Sequence, residues 1–132
     1  MRYLLLIYGP EWDSSGMTPE QQEASMNEWT DYTADLLKRS KMEAGEALEP
    51  TSTATTVRVR NGETVTTDGP FAETNEVLGG FYLLNCKDLD DAIEIAAACP
   101  AAKNGSIELR PISEFGEEYQ NAVRERAGIA SS

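Results

Sequence analysis

The first strand of the chain constrains the fold more than any other stretch of the sequence. Residues 2 to 8 end in the unbroken apolar run YLLLIY, which stops at Gly9-Pro10. A run without polar alternation is typical of a central strand covered on both faces, so we expect a sheet with a layer on each side. The run is too short to cross a membrane and lacks the basic segment of a secretory signal.

Length and charge limit the possible partners. The chain has 132 residues, which is most simply one domain with its own hydrophobic core. Its 11 basic and 23 acidic residues give a net charge of −12, which repels nucleic acid and anionic membrane surfaces. We therefore expect neither as a partner, and the charge favours an uncharged or cationic ligand.

The metal-binding and redox residue types are scarce. The sequence contains two cysteines, Cys86 and Cys99, and no histidine. Without a C-x-x-C pair or a secretory signal, the two cysteines predict reduced thiols in a cytoplasmic protein, with a disulfide or a redox role as the alternative. A zinc site would need carboxylates alone, so we expect no metal and no other cofactor.

Two helices can be placed from their capping residues. Thr18-Pro19-Glu20-Gln21 has the pattern of a capping box with proline at the first helical position, which predicts a helix over about 19–41. Asp88 is the expected N-cap of a second helix that Pro100 closes. The spacing of apolar residues predicts one buried stripe on each helix: Met26, Trp29, Thr33, Leu36 and Leu37 on the first, and Leu89, Ala92, Ile93 and Ala96 on the second.

The other strands follow from turn signals. A turn and a short strand are expected over 42–50, and Asn61-Gly62 between two β-branched stretches predicts a hairpin with a type I′ turn. The strand over 79–86 opens with a glycine pair, which permits a bulge or a close backbone approach. A last strand is expected over 106–112, followed by a short helix from Ser113 to about 127 and a frayed tail.

Without the hairpin, the predicted order is β-α-β-β-α-β, the split pattern of ferredoxin-like folds. Both helices then cover one face of an antiparallel sheet, and the other face needs a cover, which a second copy of the chain can supply. The expected fold is α+β: a ferredoxin-like βαββαβ domain with an inserted β-hairpin, forming a dimeric α+β barrel. We place this domain at residues 1–115 and a C-terminal helical segment with its tail at 116–132.

Four stretches in this order carry a family resemblance: DGPFAET, LGGFYLLNC, DLDDAIEIAAACPAA and IELRPISEF. With them in register, the chain resembles the DGPF group of the YCII-related protein family over residues 1–115. The resemblance implies a ferredoxin-like monomer that dimerises into an α+β barrel in the bacterial cytoplasm. It also implies a link to an extracytoplasmic-function sigma factor, beside which members are often encoded. Most members have no established reaction.

The sequence departs from the family pattern in two places. The wider family includes a dehydrochlorinase and proteins proposed to use a histidine–aspartate pair, and this chain has no histidine to form one. The usual E-T-K-E run after the DGPF tetrapeptide is here Glu73-Thr74-Asn75-Glu76. Asn75 removes a cation that could anchor an acidic ligand or act as a base, so lysine-based chemistry is not expected.

The DGPF turn at residues 68–71 is the candidate site. An aspartate in a turn usually accepts the N–H two residues on, but that residue is Pro70, which has none. Asp68 must therefore bond to the N–H of Phe71 or Ala72, or point into a cavity. Gly69 permits a sharp change of direction, and Phe71 is expected to pack back into the core.

Two functions are compatible with these residues. In the first, Asp68 and Glu73 are the catalytic acid and base of a cofactor-independent lyase or isomerase. In the second, the protein is a non-catalytic dimeric module that binds a ligand or supports a sigma-factor pathway. The predicted ligand-binding residues around an unknown small molecule are Tyr8, Phe71, Tyr82 and Arg110. If Arg110 is buried it needs an anionic partner, for which Asp68 or Glu73 would serve.

Overall fold

Four strands form one antiparallel sheet in the order β2-β5-β1-β6 in the computed structural model, which describes residues 1–11 and 15–130. The strands and helices are β1 (Arg2–Gly9), α1 (Pro19–Lys38), β2 (Met42–Ala47), β3 (Thr55–Arg60), β4 (Glu63–Asp68), β5 (Val77–Asn85), α2 (Leu89–Ala97), β6 (Ser106–Pro111) and α3 (Glu117–Ala127). The mixed α+β order and the antiparallel pairing are compatible with a ferredoxin-like fold. No described helix is long and apolar enough to cross a membrane.

The local signals in the sequence place most element boundaries. The capping box is confirmed, since the Gln21 N–H donates to the Thr18 hydroxyl and the Thr18 N–H donates to the Gln21 side chain. Asp88 caps α2 by accepting from the N–H of Asp91. Asn61 and Gly62 both have positive φ, as a type I′ turn requires, and β3 pairs with β4 around them.

The core lies between one face of the sheet and the helices α1 and α2. Tyr3 and Leu5 of β1 lie opposite Leu84 and Tyr82 of β5, and all four are buried. Because side chains alternate along a strand, these residues share the face that the helices cover. We call it the covered face.

The predicted helix stripes are only partly correct. On α1 the buried residues are Tyr32 and Leu36, whereas Met26 and Leu37 are 71% and 58% exposed. On α2 the buried face includes Ile95 rather than Leu89 and Ile93, which are about half exposed. Each helix has two apolar stripes at helical spacing, and the sequence does not say which one meets the sheet. Pro100 starts a 3₁₀ turn (Pro100–Lys103) instead of closing α2 directly.

The second face of the sheet is not sandwiched within one chain, contrary to the expectation from the apolar run. Its side chains remain partly exposed, and α3 has no buried residue to place against it. From the strand register this open face contains Leu4 and Leu6 of β1 and Phe81 and Leu83 of β5. The apolar run of β1 thus contributes side chains to both faces of the sheet, and the helices cover one of these faces.

Candidate functional site

The glycine of the DGPF turn fixes the turn to the base of the hairpin. Gly69 has a φ of +100°, a conformation that disfavours any other residue. Its N–H donates to the carbonyl of Ala54 at 2.7 Å, and its carbonyl accepts from the Thr56 hydroxyl at 2.9 Å. The main chain of the turn is therefore held by Gly69 and not by an aspartate cap.

Asp68 and Phe71 both project from this turn. No hydrogen bond from a described residue reaches the Asp68 carboxylate, so neither Phe71 nor Ala72 caps it. Phe71 is 79% exposed, and the expectation that it packs into the core is wrong for the single chain. The backbone bonds of Gly69 hold the turn without a contact from this ring.

The segment after the turn is tied to the sheet by Glu76. The Thr74 hydroxyl donates to the Glu76 carbonyl, and the Ser106 hydroxyl donates to the Glu76 carboxylate at 3.1 Å. Glu73, Thr74 and Asn75 of this segment line an open hollow of about 600 Å³. The hollow contains one of the two predicted catalytic carboxylates, and its other lining side chains are polar and neutral.

Tyr8 lies at the same end of the open face. It is opposite Ser106 in the pairing of β1 with β6, and directly opposite residues of an antiparallel pair share a face. Ser106 in turn bonds to Glu76, so the Glu73–Glu76 segment borders the open face next to Tyr8. No local sequence pattern marks the contact between Ser106 and Glu76, because it depends on the register of β6.

Tyr82 lies on the other side of the sheet. It is 8% exposed, its hydroxyl shares a 2.6 Å hydrogen bond with the Thr33 hydroxyl, and its ring makes an edge contact with Tyr32. Burial raises the pKa of the Tyr82 hydroxyl. Tyr82 is thus part of the core beneath α1, and the structure does not bring it together with Tyr8.

Arg110 is exposed and pairs within its own strand. Its guanidinium donates to the Glu108 carboxylate at 2.9 Å, and this hydrogen bond raises the pKa of Arg110. It is four residues along β6 from Ser106, a distance of roughly 13 Å at about 3.3 Å per residue. Arg110 is therefore neither buried nor paired with Asp68 or Glu73.

The described residues offer no cluster of three or more histidine, cysteine, aspartate or glutamate side chains that would hold a metal ion. Cys86 and Cys99 are both free and buried. Burial raises the pKa of each thiol, which disfavours the reactive thiolate. The chemistry available near the turn is that of exposed carboxylates, an amide, hydroxyls and the Phe71 ring.

The class of this protein is a mixed α+β domain whose antiparallel sheet is compatible with a ferredoxin-like topology. The model of the YCII-related domain matches residues 1–116, and the chain belongs to that family. A relative from Rhizobium meliloti (strain 1021), named only as an uncharacterised protein, is 37% identical over 117 residues. The match covers 87% of this chain and 94% of that protein, so the similarity extends over nearly the whole fold.

Proposed function

We propose that the protein is a homodimer that binds a small molecule at the end of the open face, beside the DGPF turn. The observation that carries this proposal is the bond from Ser106 to Glu76, because it positions the Glu73–Glu76 segment next to Tyr8. Asn75 and Thr74 supply neutral donors and acceptors, and Glu73 supplies a negative charge. This composition suits an uncharged or cationic ligand.

The dimer completes the site in this proposal. A sheet with one face covered by helices leaves an apolar face in water, which favours association. We propose that two ferredoxin-like domains, each with its inserted hairpin, pack open face to open face as a dimeric α+β barrel. The family resemblance supports the same assembly, in a member of the DGPF group that acts in the bacterial cytoplasm.

Binding without turnover is the form of the proposal that the geometry supports best. A carboxylate acts as an acid or base near neutrality when burial or a nearby like charge brings its pKa towards the working pH. Asp68 and Glu73 are both exposed in the single chain. A lyase or isomerase reaction using them therefore depends on the dimer closing over the turn.

A role in a sigma-factor pathway is the second candidate, and one observation favours a protein partner for it. The α3 region carries exposed apolar side chains around a hollow of about 350 Å³ that includes Tyr119, Val123 and Ile129. The Phe115 and Tyr119 rings are in contact there, 4.7 Å between centroids. An exposed apolar surface of this kind is typical of a protein-docking site, and it is separate from the DGPF turn.

A thermal-shift screen against uncharged and cationic metabolites tests the small-molecule proposal. A ligand at 100 times its Kd stabilises the folded protein by about 2.7 kcal/mol. We expect the shift to disappear in Glu73→Gln and to persist in Glu63→Gln, an exposed glutamate at the hairpin tip. A shift that Glu73→Gln leaves unchanged would place the ligand elsewhere, and turnover of the compound would identify an enzyme.

A further inference from the structure

The hairpin formed by β3 and β4 projects from the rest of the chain. We call residues 55–68 the arm. Its root is fixed, because the N–H and hydroxyl of Thr51 bond to the Glu11 carboxylate at 2.8 and 2.9 Å and Gly69 bonds to Ala54. Beyond this root, the two strands pair with each other and not with the four-stranded sheet.

The two faces of the arm differ in charge. Val57 and Val59 lie opposite Thr66 and Thr64, and this face has no charge except Asp68 at the root. The other face contains Arg58 and Arg60 with Val65 and Glu63. Among the described residues neither arginine is in a salt bridge; Arg60 is exposed and Arg58 is half-buried. We name the first face the valine face.

The valine face is too exposed for a hairpin standing alone. Val57 and Val59 are 59% and 61% exposed, although they are β-branched residues on a strand. A two-stranded hairpin is marginally stable in water unless it packs against another surface. Within residues 1–11 and 15–130 the two strands pair with no other strand, so a surface of another molecule would have to cover this face.

The surface area that a stable dimer must bury indicates which side chains of this chain contact the second surface. A stable interface buries about 800 Å² on each partner. The four apolar side chains of the open face are only partly exposed in the single chain, so each offers less area to an interface than a side chain that is more than half exposed. The largest unused apolar exposures near the turn are Val57, Val59 and Phe71, and a phenylalanine ring alone can bury about 150 Å² or more.

Charge favours a second copy of the chain over an unrelated partner. Two chains of net charge −12 repel each other, so their contact must use surfaces of low charge. The valine face meets this condition, because its single charge is Asp68 at the root. The open face meets it in part: Glu108 neutralises Arg110, but Glu46 of β2 also lies there, opposite Phe81. A cationic partner would instead bind the acidic surfaces.

We infer that the arm docks on a second copy of this chain, with Val57, Val59 and Phe71 covering part of the partner's surface. This inference rests on the proposed function, because it assumes the dimer. Asp68 and Glu73 flank Phe71 in the sequence. When Phe71 of one copy docks, the carboxylates of its turn therefore come close to the second copy. The site beside the turn is then completed by two chains.

A pair of matched double variants tests the docking. Val57→Thr with Val59→Thr replaces one methyl group of each valine by a hydroxyl and keeps β-branched residues. Arg58→Thr with Arg60→Thr makes the same number of changes on the opposite face of the same strand. We expect the valine variant to raise the dimer Kd at least tenfold in sedimentation velocity, the arginine variant to change it less than threefold, and Phe71→Ala to weaken the dimer as well.

Two further measurements separate this inference from the proposed function. Leu83→Glu on the open face dissociates the dimer if the open faces meet. If Leu83→Glu dissociates it and the valine variant does not, the arm inference is wrong and the dimer stands. If the unmodified protein is monomeric at micromolar concentration, both are wrong. Should the valine variant fail to fold, hydrogen exchange of residues 55–68 decides: the unmodified arm must exchange at least tenfold more slowly in the dimer than on dilution to monomer.

Discussion

The two faces of the four-stranded sheet both receive leucine side chains from β1 and β5, yet they differ in how they are covered. On the covered face, Leu5 and Leu84 are fully buried beneath the helices. On the open face, Leu4 and Leu83 in the neighbouring positions remain partly exposed. The contrast shows that an apolar residue of these strands is fully buried only where a helix packs over its face of the sheet.

Alanine substitutions of Leu4 and Leu5, which are adjacent in β1, are expected to give the largest difference in stability between the two faces. Leu5→Ala leaves a cavity in a site with 0% exposure, and should lower the free energy of unfolding by about 2–5 kcal/mol. Leu4→Ala removes the same atoms from a partly exposed position and should cost about 1 kcal/mol or less in the monomer. Urea unfolding of both variants measures the two values.

The stability losses of Leu4→Ala and Leu5→Ala should depend differently on protein concentration. If the open face is an interface, the effect of Leu4→Ala should grow as the protein concentration rises through the dimer Kd, because the lost contact lies between copies. The effect of Leu5→Ala on the monomer should not depend on concentration. Equal losses for both leucines in the dilute monomer would mean that the open face is covered within one chain.

The elements that the sequence predicts well are those fixed by local chemistry. The Thr18 capping box, the Asp88 cap and the Asn61-Gly62 turn each need only neighbouring residues, and the structure contains all three. The glycine pair also predicts the bulge correctly, since the register of β1 and β5 shifts between Ile7 and Tyr8.

The predictions that failed depend on contacts distant in the sequence. Leu89 and Ile93 have the same spacing as the buried stripe of α2, and only the position of the helix on the sheet selects Ile95 instead. Phe71 is apolar, which predicts burial, but the described residues leave it 79% exposed. The candidate site divides in the same way: its turn residues follow from a local pattern and stay a prediction, whereas the contact of Ser106 with Glu76 depends on strand register.

A glycine pair gives the second comparison, between two adjacent positions of β5. A Cβ at Gly80 would lie 2.8 Å from the carbonyl oxygen of Glu46, which belongs to the backbone of β2 and cannot move freely. A Cβ at Gly79 would meet nothing closer than 4.0 Å. Gly80→Ala should therefore destabilise by about 1–3 kcal/mol, as overpacking does, and Gly79→Ala by less.

Thermal unfolding of the two alanine variants checks this expectation. If Gly80→Ala has the melting temperature of the unmodified protein, then β2 does not lie as close to β5 as the register indicates. If both variants lose stability equally, the bulge itself is the sensitive feature, since each alanine would then act through the backbone.

The smallest effect concerns two tyrosines on opposite faces. Burial raises the pKa of Tyr82 in the folded state above its usual value near 10. The folded protein therefore holds this proton more tightly than the unfolded chain, so its contribution to stability is complete below about pH 10 and is lost as the pH rises towards the folded pKa. One such group changes stability by at most about 1.4 kcal/mol per pH unit.

Tyr82→Phe should lower stability by about 1 kcal/mol at neutral pH, because the hydrogen bond with Thr33 is lost. The same variant should lose less stability than the unmodified protein between pH 9 and about 11, since one titrating group is gone. Tyr8→Phe on the open face is the control for the loss of a tyrosine hydroxyl at neutral pH. Urea midpoints measured across this range decide, and parallel profiles for Tyr82→Phe and the unmodified protein would show that burial does not raise the pKa of Tyr82.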